Sequence, residues 1–578
     1  MPLSSAGIML RGIVNMGFYR NSIPNQKIGI FTNPVEGLNA WQKSTTIGDN
    51  QLSDAMDALP YRGSAVKMYA PESITPLVAQ DTGYVVSAVS WANDSDEEFV
   101  CVLFTEYDGI SANQLKVIKL TKSNTDGTWS AGTAVVFDTT AFPANEHATN
   151  NISSACVFYA EQKQYAVFTM TSDVEADGDG KLLYYNITDG TVDSVDNLKF
   201  VPKHIVYHAN RIFATDTNNR IWWSKAGSFK NTADWYGSAP SSSSVIEDSG
   251  YWAIEKERKL GGLGVLGNTL YVFGYNNIYS FTGYNYDTFA LQTAVPDLSS
   301  KVIAQNGSAI YFMYDNGSSW DIYEFDGTEY PRIISRPVRV GDRISNGIAG
   351  GVDIPYATYY SKLSANENYL YVFFDRFNVN DAYVVNNTYD RTIYAFNIIE
   401  RSWWKIDGGI DELTRDTVSE SSVYKLIIPS AERNGSYLIS CLWSGRLSQP
   451  DTVDAIWNIY DELGYNVDEY PHIITKAFSS LPTDKQALTS IALQFQAAED
   501  ADIDLTVEYS KTIDQDDFEI IKQYDHYIAN GLMEVLDIPL PIRLVSNVRH
   551  YRIKITVKNA ALYLYNIERR YRTTGRSR

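Results

Sequence analysis

Cysteine is nearly missing: Cys101, Cys156 and Cys441 are the three in 578 residues, far apart and set in apolar runs such as FVCVLF and LISCLW. An odd number without metal-ligand spacing excludes a disulfide framework and predicts buried free thiols. Long apolar runs are missing as well. The opening stretch MPLSSAGIMLRGIVNMGFYR is broken by Arg11, which suits neither a secretory leader nor a membrane span. The expectation is a chain made in the cytoplasm and not inserted in a membrane. Basic residues are few, 48 Lys and Arg against 69 Asp and Glu, and the net charge of −21 opposes general binding to nucleic acid or anionic lipid. Also missing are a G-x-S-x-G elbow, a Walker loop and H-E-x-x-H. The chain is therefore read as non-enzymatic, with no cofactor.

What is abundant is strand chemistry. Tyr supplies 41 residues and aromatics make up 13%, while Asp-Gly or Asn-Gly occurs twelve times, usually between apolar runs. Those dipeptides accept the positive φ angles that tight hairpins need. A strand rich in Tyr, Val and Phe, a polar turn and a second strand recur in EEFVCVLF…LKVIKL, KQYAVFTM…KLLYYN, ANRIFAT…NRIWWSK, GNTLYVFG…NNIYSFTG, GSAIYFMY…WDIYEFDG, ENYLYVFF…RTIYAFN and GSYLISCLW…GRL. Anchored on Phe99, Tyr165, Ile212, Leu270, Ile310, Leu370 and Leu438, the units are spaced by 66, 47, 58, 40, 60 and 68 residues. Repeats of roughly 40–50 residues with several strands each are the mark of propeller blades. LYVFF, IYFMY and the pairs Trp222/Trp223 and Trp403/Trp404 place bulky groups on both faces of a strand, as expected where every sheet is covered on both sides.

The fold class is thus mainly β: a β-propeller of about seven blades, six to eight being compatible, over residues 79–450, followed by a C-terminal antiparallel β-sandwich over 470–578. Between them, DTVDAIWNIYDELG spaces Ile456, Ile459, Tyr460 and Leu463 helically and stops at Gly464, which predicts a linker helix over 451–469. Residues 1–78 show no repeat and read as a docking arm or a segment that closes the propeller ring.

Several stretches carry a chemical and a simpler reading side by side. Gly262, Gly264 and Gly267 have the G-x-G-x-x-G spacing of a dinucleotide loop, yet strands follow them and no helix is available for a pyrophosphate. Tight turns and close sheet packing explain them better. Glu175, Asp177, Asp179 and Gly180 stand at calcium-loop offsets, but position twelve is Asn186 instead of a bidentate Glu, so an acidic hairpin tip is the simpler reading. Asp500, Asp502 and Asp504 alternate along a strand, as a solvated face would. His204 and His208 share a strand face about 13 Å apart, too far for one metal. SNTDGTW, Ser123 to Trp129, approaches a sialidase Asp-box but spaces Ser and Asp one residue too widely.

Charge is uneven. From Pro541 to Arg578 ten Lys and Arg face Glu568 alone, a net of +9, which leaves −30 on the remainder. Arg569, Arg570, Arg572, Arg576 and Arg578 are the candidate interaction segment, with two readings: phosphate contacts on DNA, or salt-linked docking onto an acidic neighbouring subunit. With most of the molecule repelling DNA, assembly is the self-consistent one.

YHANRIFATDTNNRIWWSKAGSFKNTADW (207–235), LGVLGNTLYVFGYNNIYSFTG (263–283), RIISRPVRVGDRISNGI (332–348) and the ending LYNIERRYRTTGRSR resemble the propeller-bearing tail nozzle or head-to-tail stabilisation proteins of short-tailed bacteriophages. That resemblance implies a structural part of the virion tail, assembled in the host bacterial cytoplasm. It implies a ring of copies, commonly six, held between adaptor or portal proteins and tail fibres or needle, with DNA passing through unbound. From the residues alone, a carbohydrate-active propeller, either a lectin-like binder or a glycosidase with a sugar-binding sandwich, is the alternative.

Overall fold

The computed structural model describes residues 26–32, 36–39, 46–68, 83–137, 151–235, 249–338, 362–373, 392–407, 422–443 and 471–576, with short breaks inside these spans. Among them the chain is almost entirely strand and turn, with short 3-10 turns at Thr232–Asp234 and Arg336–Val338. No helix of the described residues is long and apolar enough to cross a membrane. Residues 451–469, where the pattern predicts the linker helix, lie outside the described residues.

From 83 to 407 the strands form successive antiparallel meanders, each built from one contiguous stretch of chain and each of four strands, the first carrying a fifth short one; a two-stranded hairpin at 422–443 follows. This is a β-propeller arrangement. The hairpin signals sit where expected: Asn306-Gly307 turns Ile303–Gln305 into Ile310–Asp315, with Gly307 at φ 84°. The opening strand of each sheet lies against the opening strand of the next, and Ser422–Pro429 returns to lie against Gly83–Ala92.

Neighbouring sheets share cores because successive side chains of a strand point to opposite faces. In Arg220–Trp223, Trp222 packs with Phe158, Tyr184 and Phe200 of the preceding sheet, while Trp223 packs with Leu270, Val272 and Phe281 of the following one. In Thr269–Phe273, Leu270 and Val272 face backward, and Tyr271 and Phe273 face forward onto Ile310 and Phe312. The double-tryptophan pairs are thus core residues: Trp403 and Trp404 are fully buried, their ring nitrogens donating to the Ile334 carbonyl at 2.7 Å and to Ser402 Oγ at 2.9 Å. Cys101 and Cys156 are free and buried, as their apolar runs imply.

The remaining two sheets draw on both ends of the chain. One contains Gln26–Thr32, Ala58–Tyr61, Ala65–Met68, Asp484–Ala497, Glu534–Pro539 and Leu562–Arg576; the other contains Leu52–Met56, His472–Thr475, Glu499–Ser510, Glu519–Asn530 and Arg552–Lys558. Ile491, Leu493 and Phe495 of the first meet Val507, Ile553, Ile555 and Val557 of the second in one core. The early strands are therefore neither a free arm nor a propeller strand. The physical reason is the 15-residue strand Leu562–Arg576: Asp484–Ala497 covers one edge, and Ala65–Met68 with Gln26–Thr32 share the other, so Phe31 and Val66 complete the core.

This unit abuts the sheet at 362–407 through its last strand, Ser402–Asp407. Leu38 N donates to the Trp403 carbonyl at 2.8 Å, and Lys405 Nζ lies 2.5 Å from Asp54 Oδ1. A Cβ on Gly37 would fall 2.4 Å from the Trp403 oxygen, so glycine permits the approach.

Candidate functional site

The basic segment is a strand with neighbours on both sides, and alternation splits its arginines. Arg569 turns inward. Its guanidinium lies 4.0 Å from the Phe478 ring centre and 5.1 Å from that of Tyr571, and Nη1 donates to Tyr551 Oη at 3.0 Å. Gly29 stands opposite, where a Cβ would come within 2.8 Å of Arg569 Nε. Arg569 is thus a half-buried cation–π partner at the margin of the core. Arg570 points outward, with Nε donating to Glu568 Oε1 at 2.8 Å and Nη1 3.6 Å from Asp537 Oδ2. Arg572 is half-buried in the same outward row, and Arg576 stands opposite Asp484 at the strand's end. Arg578 lies outside the described residues. Of the three whose side chains are described, all are half-buried: Arg569 lies against aromatic rings, and Arg570 is shared with acids of its own chain.

The aspartates expected to alternate on a solvated face meet an unforeseen histidine. A register shift in the Glu499–Ser510 and Glu519–Asn530 hairpin brings His526, at φ 56°, beside them. His526 Nδ1 is 3.0 Å from Asp502 Oδ2, His526 N donates to Asp504 Oδ1 at 2.9 Å, and Asn559 Nδ2 donates to Asp504 Oδ2 at 2.9 Å. The hydrogen bond to Asp502, helped by the charges of Asp502 and Asp504, raises the His526 pKa above its ordinary value. The three donor atoms lie within 4.8 Å of one another, a size that suits a small cation, although the site is exposed and a proton on His526 competes for it. Asp500 has φ 61° at the hairpin's start. His526 carries no sequence signal because the bulge that aims it breaks the periodic pattern.

The other motifs resolve into packing. Gly262 and Gly264 face the next sheet, where a Cβ would meet Ile303 Cδ1 at 2.7 Å and Ile310 Cδ1 at 2.6 Å, and Gly267 makes the turn at φ 56°. Strands Leu263–Leu266 and Thr269–Phe273 flank that turn, leaving no helix N-terminus for a phosphate. Gly180 opens a strand whose backbone passes so near the Phe200 carbonyl that a Cβ would sit 1.7 Å from it. Asn186 Oδ1 accepts from Thr188 N and Asp189 N at 3.1 Å each, a turn role in place of a metal ligand's. Glu175, Asp177 and Asp179 lie outside the described residues, as does SNTDGTW except Trp129. His208 is buried against Phe213, and burial lowers its pKa; His204 N donates to Thr215 Oγ1 at 3.4 Å.

Two polar clamps escape sequence reasoning. Glu324 holds Arg401 of the next sheet in a two-pronged pair at 2.6 and 2.8 Å. Asp54 sits between Lys405 and His472, whose Nε2 is 3.8 Å from Asp54 Oδ2. Burial alone would raise that carboxyl, but Lys405 and His472 outweigh it and hold the group well below the usual carboxylate range.

No family model matches the chain, and no curated protein matches it. Among solved structures the chain is similar to the β-propeller domain of the Trilobed protease from Pyrococcus furiosus, at 9% identity and TM-score 0.32, over 68% of this chain and 100% of that one. It is also similar to the PQQ-bound aldose sugar dehydrogenase from Streptomyces coelicolor, at 11% identity and TM-score 0.28, over 53% and 99%. A third similarity is to a chain of the nidogen/laminin complex, at 12% identity and TM-score 0.29, over 50% and 88%. At scores and identities this low, no activity or partner passes from those proteins to this chain.

Proposed function

We propose that the chain is a seven-bladed β-propeller carrying a β-sandwich made from both chain ends, and that it is a non-enzymatic structural part of a short-tailed phage virion. Copies form a ring, six being the expected number, that joins adaptor or portal proteins to fibres or needle and surrounds the DNA exit path. The sheets at 205–253 and 263–295 contain the two longest of the phrases that resemble tail nozzle proteins. Cores on both faces of the sheets at 151–198, 205–253, 263–295 and 303–333 make a stiff body, because dense side-chain packing transmits load with little compression.

The observation that carries the reading is the partition of charge. A net of −30 outside residues 541–578 lets phosphate slide past without adhering, while part of the +9 of that segment is taken up by acids of its own unit. Gold-labelled antibody against the purified chain tests it on intact particles. Label at the tail, between head and fibres, is the expected result. Particles without label, together with release of reducing sugar or glycan binding by the purified protein, would replace this reading with the carbohydrate one.

A further inference from the structure

The sheet built around Leu562–Arg576 ends in two strands that are unpaired on their outer side among the described residues: Gln26–Thr32 at one edge and Glu534–Pro539 at the other. Both edges expose apolar side chains on one face. Ile28 is 61% exposed and Ile30 58%, against 54% for Val535. The register places them on one face of the sheet but in different rows, Ile30 in line with Glu568, Ala492 and Asp537, and Val535 in line with Gln494, Asn566 and Thr32. Leu532 and Met533 add exposed apolar surface at the turn into the second edge. Long edge strands with outward apolar groups pair with other chains unless they are blocked.

The two edges also differ in charge. Lys27 lies on the first, with Arg572 on the adjoining strand; on the second lie Glu534, which accepts from Tyr527 Oη and from Asn530 N at 2.9 Å, and Asp537, 3.6 Å from Arg570 Nη1. Strand direction fits as well. All pairings across this sheet are antiparallel, and four strands separate equivalent positions, so Glu534–Pro539 of one copy meets Gln26–Thr32 of the next in the antiparallel sense. Unlike edges that complement each other give head-to-tail contacts, the kind that generate rings when the rotation closes.

We propose that a second copy of this chain occupies each edge: Gln26–Thr32 of one copy pairs with Glu534–Pro539 of the next and continues one sheet across the interface. The inference rests on the ring reading above and names the surface that makes the ring. Ile28 and Ile30 then lie beside Val535 of the neighbour, and Lys27 comes near its Glu534 as a second cation beside an acid already hydrogen-bonded within its own chain.

The test uses the full chain and a short bismaleimide cross-linker, with unsubstituted protein as the control for native thiols. Ile28→Cys and Val535→Cys variants are each expected to stay uncrosslinked alone and to give dimers when mixed. The double variant is expected to give a ladder ending at the ring. In parallel, Ile28→Lys and Val535→Lys should weaken assembly roughly tenfold or more by sedimentation, with an unchanged melting midpoint. Dimers from Ile28→Cys alone would mean a two-fold contact and overturn the inference. Rings of unsubstituted protein without cross-linking in the mixture would overturn this interface and leave the ring reading standing. Monomers at every concentration would overturn both.

Discussion

At the scale of single residues, the glycines of GGLGVLG separate two causes that a motif search merges. Gly261 lies where a Cβ would be 2.3 Å from the Ser300 carbonyl oxygen, so Gly261→Ala is expected to destabilise by about 1–3 kcal/mol through backbone crowding. Gly267 has open space for 4 Å around the point a Cβ would occupy but holds φ 56°, so Gly267→Ala is expected to cost about 1–2 kcal/mol through conformation alone. Denaturant midpoints distinguish them: Gly267→Asn should recover most of the loss, since Asn tolerates that conformation, and Gly261→Asn should not. The thiols give a second check. Burial pushes Cys156 up to about 12 and Cys101 higher still, so neither is expected to react with iodoacetamide at pH 8 until the chain unfolds, as peptide mapping would show. Buried cysteines and paired tryptophans were legible because each sits inside an apolar strand, and the glycines because they flank such strands without a helix after them. His526 was not, because a bulge within its own hairpin aims it, and Arg401 and Asp54 were not, because their partners come from distant strands.

Among elements, the recurring hairpins were legible from alternation and turn chemistry, whereas the pairing of residues 26–68 with 472–576 was not. Short strands such as QKIGIFT carry too little pattern to name a partner hundreds of residues away. That pairing predicts that deleting residues 1–68 uncovers one side of Leu562–Arg576 and empties part of its core. The truncated chain should lose its cooperative melt, whereas a mere docking arm would leave it intact. The contact between this unit and the sheet at 362–407 is expected to be sensitive to acid. Asp54 has a folded pKa below its unfolded value of about 3.9, so its contribution is fully present above about pH 4 and lost as pH falls further. Asp54→Asn should therefore lower stability at pH 7 and flatten the acid limb of the profile, read from denaturant midpoints between pH 7 and pH 3.

For the whole molecule, propeller class followed from near-continuous apolar strands, since only sheets covered on both faces hide Trp222 and Trp223 together. The two chain ends meeting in one unit was a long-range event that composition does not encode. Its consequence is an acidic propeller body joined to a unit with two unlike sheet edges, the combination from which we propose assembly into a ring. The most direct measurement is single-particle electron microscopy of the purified full chain at a resolution that separates strands. The expected image is a closed ring of copies, each with seven radial sheets and with neighbours meeting through the unit formed by both chain ends. Solitary chains, or a gap between the sheet at 422–443 and the sheet at 83–136, would contradict it.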